Sequence, residues 1–143
     1  MSQDATGTPP ATAALERERI LVCDDDPRMR ETIVEALAGE AFEVDTADRA
    51  VDAIQRITRT SYRALILDLK LPGLGGLDAI AVVKRFDQSL PIIVMTGHAS
   101  YEVEQAARAA GIFYYLVKPF NLEELIAAVR AAIRFRDSSR RRV

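Results

Sequence analysis

Three carboxylates stand end to end at Asp24, Asp25 and Asp26, directly after the apolar run ILVC of residues 20–23. Like charges this close repel, and each favours solvation or a partner. Other apolar runs also end in polar groups: ALIL in Asp68, IIVM in Thr96, and YYLV in Lys118 followed by Pro119. Carboxylate oxygens are hard donors suited to Mg²⁺, which uses one or two protein carboxylates, keeps several waters and accepts a phosphate oxygen. A carboxylate can also act as a nucleophile and form an aspartyl phosphate. An ammonium at Lys118 and a hydroxyl at Thr96 would hold the phosphoryl oxygens by charge and hydrogen bond. Alone, the acidic triplet reads equally well as a solvated helix cap. It becomes a cation site only if distant run-ends meet.

Whether they meet is a matter of topology. ILVC, ALIL, PIIVM (91–95) and YYLV (114–117) are continuous apolar runs, as strands covered on both faces are, whereas FEVD (42–45) alternates like an edge strand. Between the runs, apolar residues recur at helical spacing: Met29, Ile33 and Leu37, then Val51, Ile54 and Ile57. A last set comprises Leu122, Leu125 or Ile126, Val129 and Ile133, and segments 77–86 and 100–110 complete the helices. Pro27 after Asp26 is an N-cap and first-turn pairing, and Asn121 with Glu124 has the form of a capping box. Five β-α units predict an α/β fold, a doubly wound parallel sheet with helices on both faces. Ligands of such sheets sit beyond the carboxyl ends of the strands, where each chemically useful residue falls.

Composition narrows the remaining classes. The 143 residues suit one domain, 49% of them are hydrophobic, and the net charge of −2 gives no general attraction to nucleic acid or anionic lipid. No apolar run approaches the length of a membrane span, and the start lacks the pattern of a signal peptide, so a cytoplasmic location is expected. The single cysteine, Cys23, excludes a disulfide framework and reads as an inert buried thiol. Residues 1–17 read as a disordered leader, 18–136 as the domain, and 137–143 as a basic tail. That tail has no interleaved aromatics, so direct nucleic-acid binding by this chain is not expected.

ILVCDDDP, LILDLKLPGLGG, MTG and YLVKPF occur in this order, each at an expected strand end. Together they resemble the receiver domain of two-component response regulators, over about residues 20–135. The resemblance implies a five-stranded sheet in the flavodoxin-like order 2-1-3-4-5. It makes Asp68 the phosphoacceptor, with Lys118 and Thr96 on the phosphoryl group. Asp25, Asp68 and the backbone carbonyl of Lys70 would bind Mg²⁺ directly, and Asp24 through a water. Thr96 and Tyr115 would be the switch pair, and the Lys118–Pro119 bond would be cis. The implied partners are a sensor histidine kinase or phosphotransfer protein and a downstream output protein. The face made by the fourth helix, fifth strand and fifth helix would carry the signal, and a homodimer through that face is one option. The Ala-rich segment 100–110 has few large apolar anchors, which suits a movable element.

Departures from the family pattern are few. Leu71 stands where methionine is common, Gly75 where aspartate is frequent, and Ile112 where a small residue is usual. Lys70 and His98 lie two residues beyond Asp68 and Thr96, at positions the resemblance associates with the rate of phosphoryl loss to water. His98 reads as an exposed loop residue, since no second histidine exists to build a transition-metal site. Two other classes share parts of this pattern. A Mg²⁺-dependent phosphohydrolase needs an acid-base aspartate where Lys70 stands. A receiver-like docking module independent of phosphorylation is the alternative reading, against which the intact acceptor set argues. No turnover of small molecules is expected.

Overall fold

A computed structural model of the chain describes residues 17–71 and 73–141. The leader assigned to 1–17, apart from Arg17, lies outside the described residues, as do the last two residues of the tail. In chain order the elements are β1 (Arg19–Cys23), α1 (Pro27–Ala38), β2 (Glu43–Ala47), α2 (Ala50–Arg59) and β3 (Ala64–Asp68). They continue with α3 (Gly76–Phe86), β4 (Ile92–Thr96), α4 (Tyr101–Ala109), β5 (Tyr114–Val117) and α5 (Leu122–Arg141). The five strands are parallel in the order β2-β1-β3-β4-β5, as the resemblance implied.

Strand periodicity splits the core between the two sheet faces. Leu21, Cys23, Leu65, Leu67, Ile92 and Val94 point to one face, where they meet Ala53 of α2, Ile80 and Val83 of α3, and Ala107 of α4. Ile20, Val22, Ile66, Ile93, Met95 and Leu116 point to the other, against Ile33 and Leu37 of α1 and Leu125 and Val129 of α5. Helices on both faces are what continuous apolar strands require. Each fully buried side chain of this kind contributes about 1.5–3 kcal/mol of transfer free energy. The sheet is thereby a stiff platform, and its carboxyl edge holds whatever side chains the strands end in.

Local signals place the helix starts. The Asp26 side chain accepts from Arg28 N–H at 3.0 Å, with Pro27 following, and Asn121 Oδ1 accepts from Glu124 N–H at 2.7 Å. Ser100 is a cap rather than a helical residue: its hydroxyl accepts from Val103 N–H at 3.1 Å, and α4 begins at Tyr101. Gly75 offers no capping side chain to α3, and Gly76 begins that helix. A Cβ at Gly76 would sit 2.5 Å from Leu69 Cα, so the close return of the chain there demands glycine.

The edge strand and the tail differ from expectation. Phe42 is a buried core residue, and β2 runs on to Ala47, because pairing with β1 extends to Cys23 opposite Ala47. The boundary drawn at 136 falls inside α5, which continues to Arg141. Arg136 is only 2% exposed: its guanidinium donates to Asp87 Oδ2 at 2.9 Å and to the Tyr62 carbonyl, while the neighbouring Asp137 pairs with Arg63. Charges that look like a solvated tail therefore anchor the helix end. Among the described residues, no helix is long and apolar enough to cross a membrane.

Candidate metal and phosphoryl site

Pairing of β1, β3, β4 and β5 sets their carboxyl ends side by side, with Cys23 opposite Leu67, Asp68 opposite Met95 and Thr96 opposite Val117. Each run then delivers its last residue, or the next, to one rim. Carboxylate oxygens of Asp24, Asp25 and Asp68 lie within 4.8 Å of one another. Asp24 is fully buried and Asp68 is 4% exposed, whereas Asp25 faces solvent.

Each group is held by the backbone that follows it. Asp24 Oδ1 accepts from Asp26 N–H at 2.9 Å, and Asp68 Oδ1 accepts from Lys70 N–H at 2.9 Å. Lys118 fills the remaining side: its ammonium lies 3.0 Å from Asp68 Oδ2 and 3.3 Å from Asp24 Oδ2. Its own N–H donates to the Thr96 carbonyl at 2.8 Å, which locks the end of β5 to the end of β4. The Lys118–Pro119 peptide is cis. Thr96 is 2% exposed, and its Oγ1 accepts from His98 N–H at 3.0 Å. All five rim residues expected from the sequence are thus brought together.

Burial sets the electrostatics. It raises the Asp24 carboxyl above its ordinary range; the Asp26 N–H and Lys118 oppose this, and Asp68 adds to it. Burial works against the Lys118 ammonium, but the hydrogen bond and charge of Asp68, followed by those of Asp24, more than offset it and hold the group above 10.5. The Cys23 thiol beneath is pushed up to about 12, first by burial and then by Asp24 and Asp68. Three carboxyl groups thus face one ammonium at the rim, two of them buried and one exposed. Hard oxygen donors at this spacing, one of them open to water, fit a divalent cation such as Mg²⁺.

Tyr115 stands on β5 and packs against the core on the α2–α4 side. Its hydroxyl is sealed from solvent and makes no hydrogen bond of standard geometry. Burial raises its pKa, with Glu104 adding and the Ser100 N–H opposing. Lys70 and His98 are exposed, and their side chains meet, Nζ to Nε2 at 2.9 Å. Arg30 escaped the sequence reading: from α1 it donates to the Asp24 carbonyl at 2.8 Å, fixing the turn that carries the acids. The available signal was a long cation six positions after Asp24, on the helix that this turn starts.

A family model described as the response regulator receiver domain matches residues 20–130. Response regulator MprA of Mycobacterium leprae (strain TN) is 38% identical over 116 residues, covering 81% of this chain and 51% of that protein. Transcriptional regulatory protein PrrA of the same organism is 35% identical over 121 residues, covering 85% of this chain and 52% of that protein. The chain therefore spans about half the length of these curated relatives. A CheY-like response regulator receiver domain protein from Methanospirillum hungatei JF-1 superposes with a TM-score of 0.84 at 25% identity, over 87% of this chain and 99% of that one. A response regulator receiver domain protein from Clostridium thermocellum gives 0.80 at 30% identity, over 84% and 97% respectively.

Proposed function

The chain belongs to the response regulator receiver domain family, and from that premise we propose that it is a phosphoryl-accepting signalling switch with Asp68 as acceptor. The observation that carries this reading is the placement of Asp68, nearly buried, 3.0 Å from Lys118 and within a cluster of three carboxylates. A carboxylate so held is oriented for attack, and its charge is already matched by a cation.

Asp25 and Asp68 would hold Mg²⁺ directly with the Lys70 carbonyl, and Asp24 through a water. Bound there, the metal supplies charge neutralisation for the phosphoryl oxygens. The residues of the chain do the rest. A carboxylate oxygen of Asp68 bonds to phosphorus as the P–N bond of a partner's phosphohistidine, or the bond of a small phosphodonor, breaks. Lys118 pairs with the transferred group. Thr96 donates its O–H to a phosphoryl oxygen while its Oγ1 accepts from the His98 N–H, and Tyr115, whose hydroxyl is already sealed from solvent, adjusts its packing behind it. Lys70 occupies the place where a phosphohydrolase would need an acid-base carboxylate, so transfer to Asp68 is the end of the chemistry apart from hydrolysis.

The readout is a shift between two packings of the face made by α4, β5 and α5. Support comes from its surface: Tyr101, Val117 and Phe135 are 73%, 46% and 58% exposed, and α4 buries only Ala107. Few buried contacts make α4 inexpensive to move. A sensor histidine kinase or phosphotransfer protein supplies the phosphoryl group in the cytoplasm. An output partner, or a second copy of this chain, reads that face.

Intact-mass measurement with Mg²⁺ and acetyl phosphate tests the reading. One base-labile phosphoryl group is expected on the wild type and none on Asp68→Asn. Equal labelling of the two would reject Asp68 as acceptor.

A further inference from the structure

A cavity of about 400 Å³ lies at the amino edge of the sheet, at the opposite ends of the strands from the acidic rim. Pro91 and Phe113, which border it, directly precede β4 and β5; the end of α3 and the last turns of α5 close its sides. Its walls are mainly apolar. The Phe113 and Phe135 rings meet there with centroids 5.4 Å apart, and Ile112 stands beside them. Phe135 is largely exposed, so much of its ring lacks cover. A hollow of this size and lining suits a small ligand.

The charges at the cavity have one sign. Among the described residues, Lys84 and Arg136 border it and no carboxylate does. Arg136 is already matched by Asp87 at 2.9 Å. The Lys84 ammonium is partly buried and donates to a neutral partner, the Gln88 carbonyl, at 3.2 Å. A Cβ at Gly111 would lie 3.5 Å from Lys84 Cε and 3.9 Å from Nζ, so the lysine head rests over the turn between α4 and β5. Burial holds this ammonium below its ordinary value, with Asp87 opposing. A cation taken partly out of water beside apolar walls favours an anionic partner.

We infer that this cavity binds a small monocarboxylate with an aromatic or branched apolar body. The carboxylate accepts from Lys84 Nζ, and the body covers Phe113, Phe135 and Ile112. An ammonium carries three donors, so one stays on the Gln88 carbonyl while the others reach the ligand. Such a ligand touches residues 111–113, which join α4 to β5. The site is separate from Asp68 and does not depend on its role as acceptor.

The test is an amide chemical-shift titration of the full chain by NMR with phenylacetate, and with phenethyl alcohol as its uncharged match. Tm serves as the control for folding. Phenylacetate should shift the amides of Lys84 and residues 111–113 and bind about tenfold more tightly than the alcohol, the scale of one charge-assisted hydrogen bond. Lys84→Met should reduce phenylacetate to the affinity of the alcohol. Ser139→Phe keeps Lys84 but sets a ring at the cavity border, and should abolish binding of both without a fall in Tm. Equal affinity for acid and alcohol, or an unchanged acid affinity in Lys84→Met, would overturn carboxylate recognition. Shifts centred elsewhere, no shifts, or undiminished binding in Ser139→Phe would overturn the site itself. None of these outcomes bears on Asp68 as acceptor.

Discussion

Replacing Lys118 by methionine asks how the rim manages its negative charge. The ammonium lies 3.0 Å from Asp68 Oδ2 and 3.3 Å from Asp24 Oδ2. At an effective dielectric constant near 20, each such pair is attractive by about 5 kcal/mol before desolvation is subtracted. Methionine keeps the stem volume and removes the burial cost of the ammonium, but leaves two nearly buried carboxylates facing each other. Removing one partner of a fully buried pair costs about 3–5 kcal/mol. The Lys118 side chain is 20% exposed, and Asp24 can take up a proton, so the expected loss is about 2 kcal/mol without metal. For a domain of this size, that lowers Tm by roughly 5–10 °C.

The same substitution should strengthen Mg²⁺ binding, since it removes a cation that competes for the acids. A gain of about tenfold corresponds to ~1.4 kcal/mol, and saturating Mg²⁺ should return most of the lost stability by linkage. The pH profile follows from Asp24. A carboxyl raised in the folded state contributes stability below its unfolded value of 3.8 that is lost as pH rises through the folded value. Without Lys118 that rise is larger, so metal-free Lys118→Met should lose stability as pH rises above 3.8 more than the wild type does. Thermal unfolding with and without Mg²⁺ and a calorimetric Mg²⁺ titration measure both effects. Weaker Mg²⁺ binding by Lys118→Met would refute the reasoning, because it would make the lysine an organiser of the metal site rather than a competitor.

Two further outcomes are expected. Arg136→Met should destabilise by about 2–3 kcal/mol in denaturant unfolding, less than a fully buried pair because Asp87 is 29% exposed. Asp87 is lowered despite burial, through Ser89 and Arg136, so its stabilisation is present above 3.8 and lost as pH falls through the folded value; Arg136→Met should flatten that acid loss. Cys23, with its thiol at about 12, should resist alkylation at pH 8 in the native chain and react on unfolding. Rapid native labelling would contradict its burial.

What the sequence made legible was whatever depends on short-range period and on strand ends. Continuous apolar runs mark buried parallel strands because both faces must be covered, and the residue after each run is then forced to the carboxyl rim. Asp24, Asp68, Thr96 and Lys118 were readable for that reason. Arg30 and Arg136 were not. Both are cations on helices, and only tertiary placement shows one reaching the Asp24 carbonyl and the other the Tyr62 carbonyl. Pattern gives the face of a helix but not what lies opposite a long, flexible side chain. The end of α5 failed for the same reason: its polar residues resemble a solvated tail until Asp87 and Arg63 are seen to meet them.

The short path from Asp68 to α4 is the remaining step. Lys118 touches Asp68 through its ammonium and the Thr96 carbonyl through its N–H at 2.8 Å. The Thr96 hydroxyl is held by His98 N–H, two residues before Ser100, whose hydroxyl caps α4. Glu104 on that helix is in turn among the charges acting on Tyr115. A phosphoryl group on Asp68 would therefore draw on the Lys118 ammonium and on the Thr96 O–H at once. Only residues 97–99 separate Thr96 from the cap, so displacement of Thr96 reaches the helix start with little chain to absorb it. Coupling of this kind needs a bistable element, and α4, with a single buried residue, is the one least committed to its present packing.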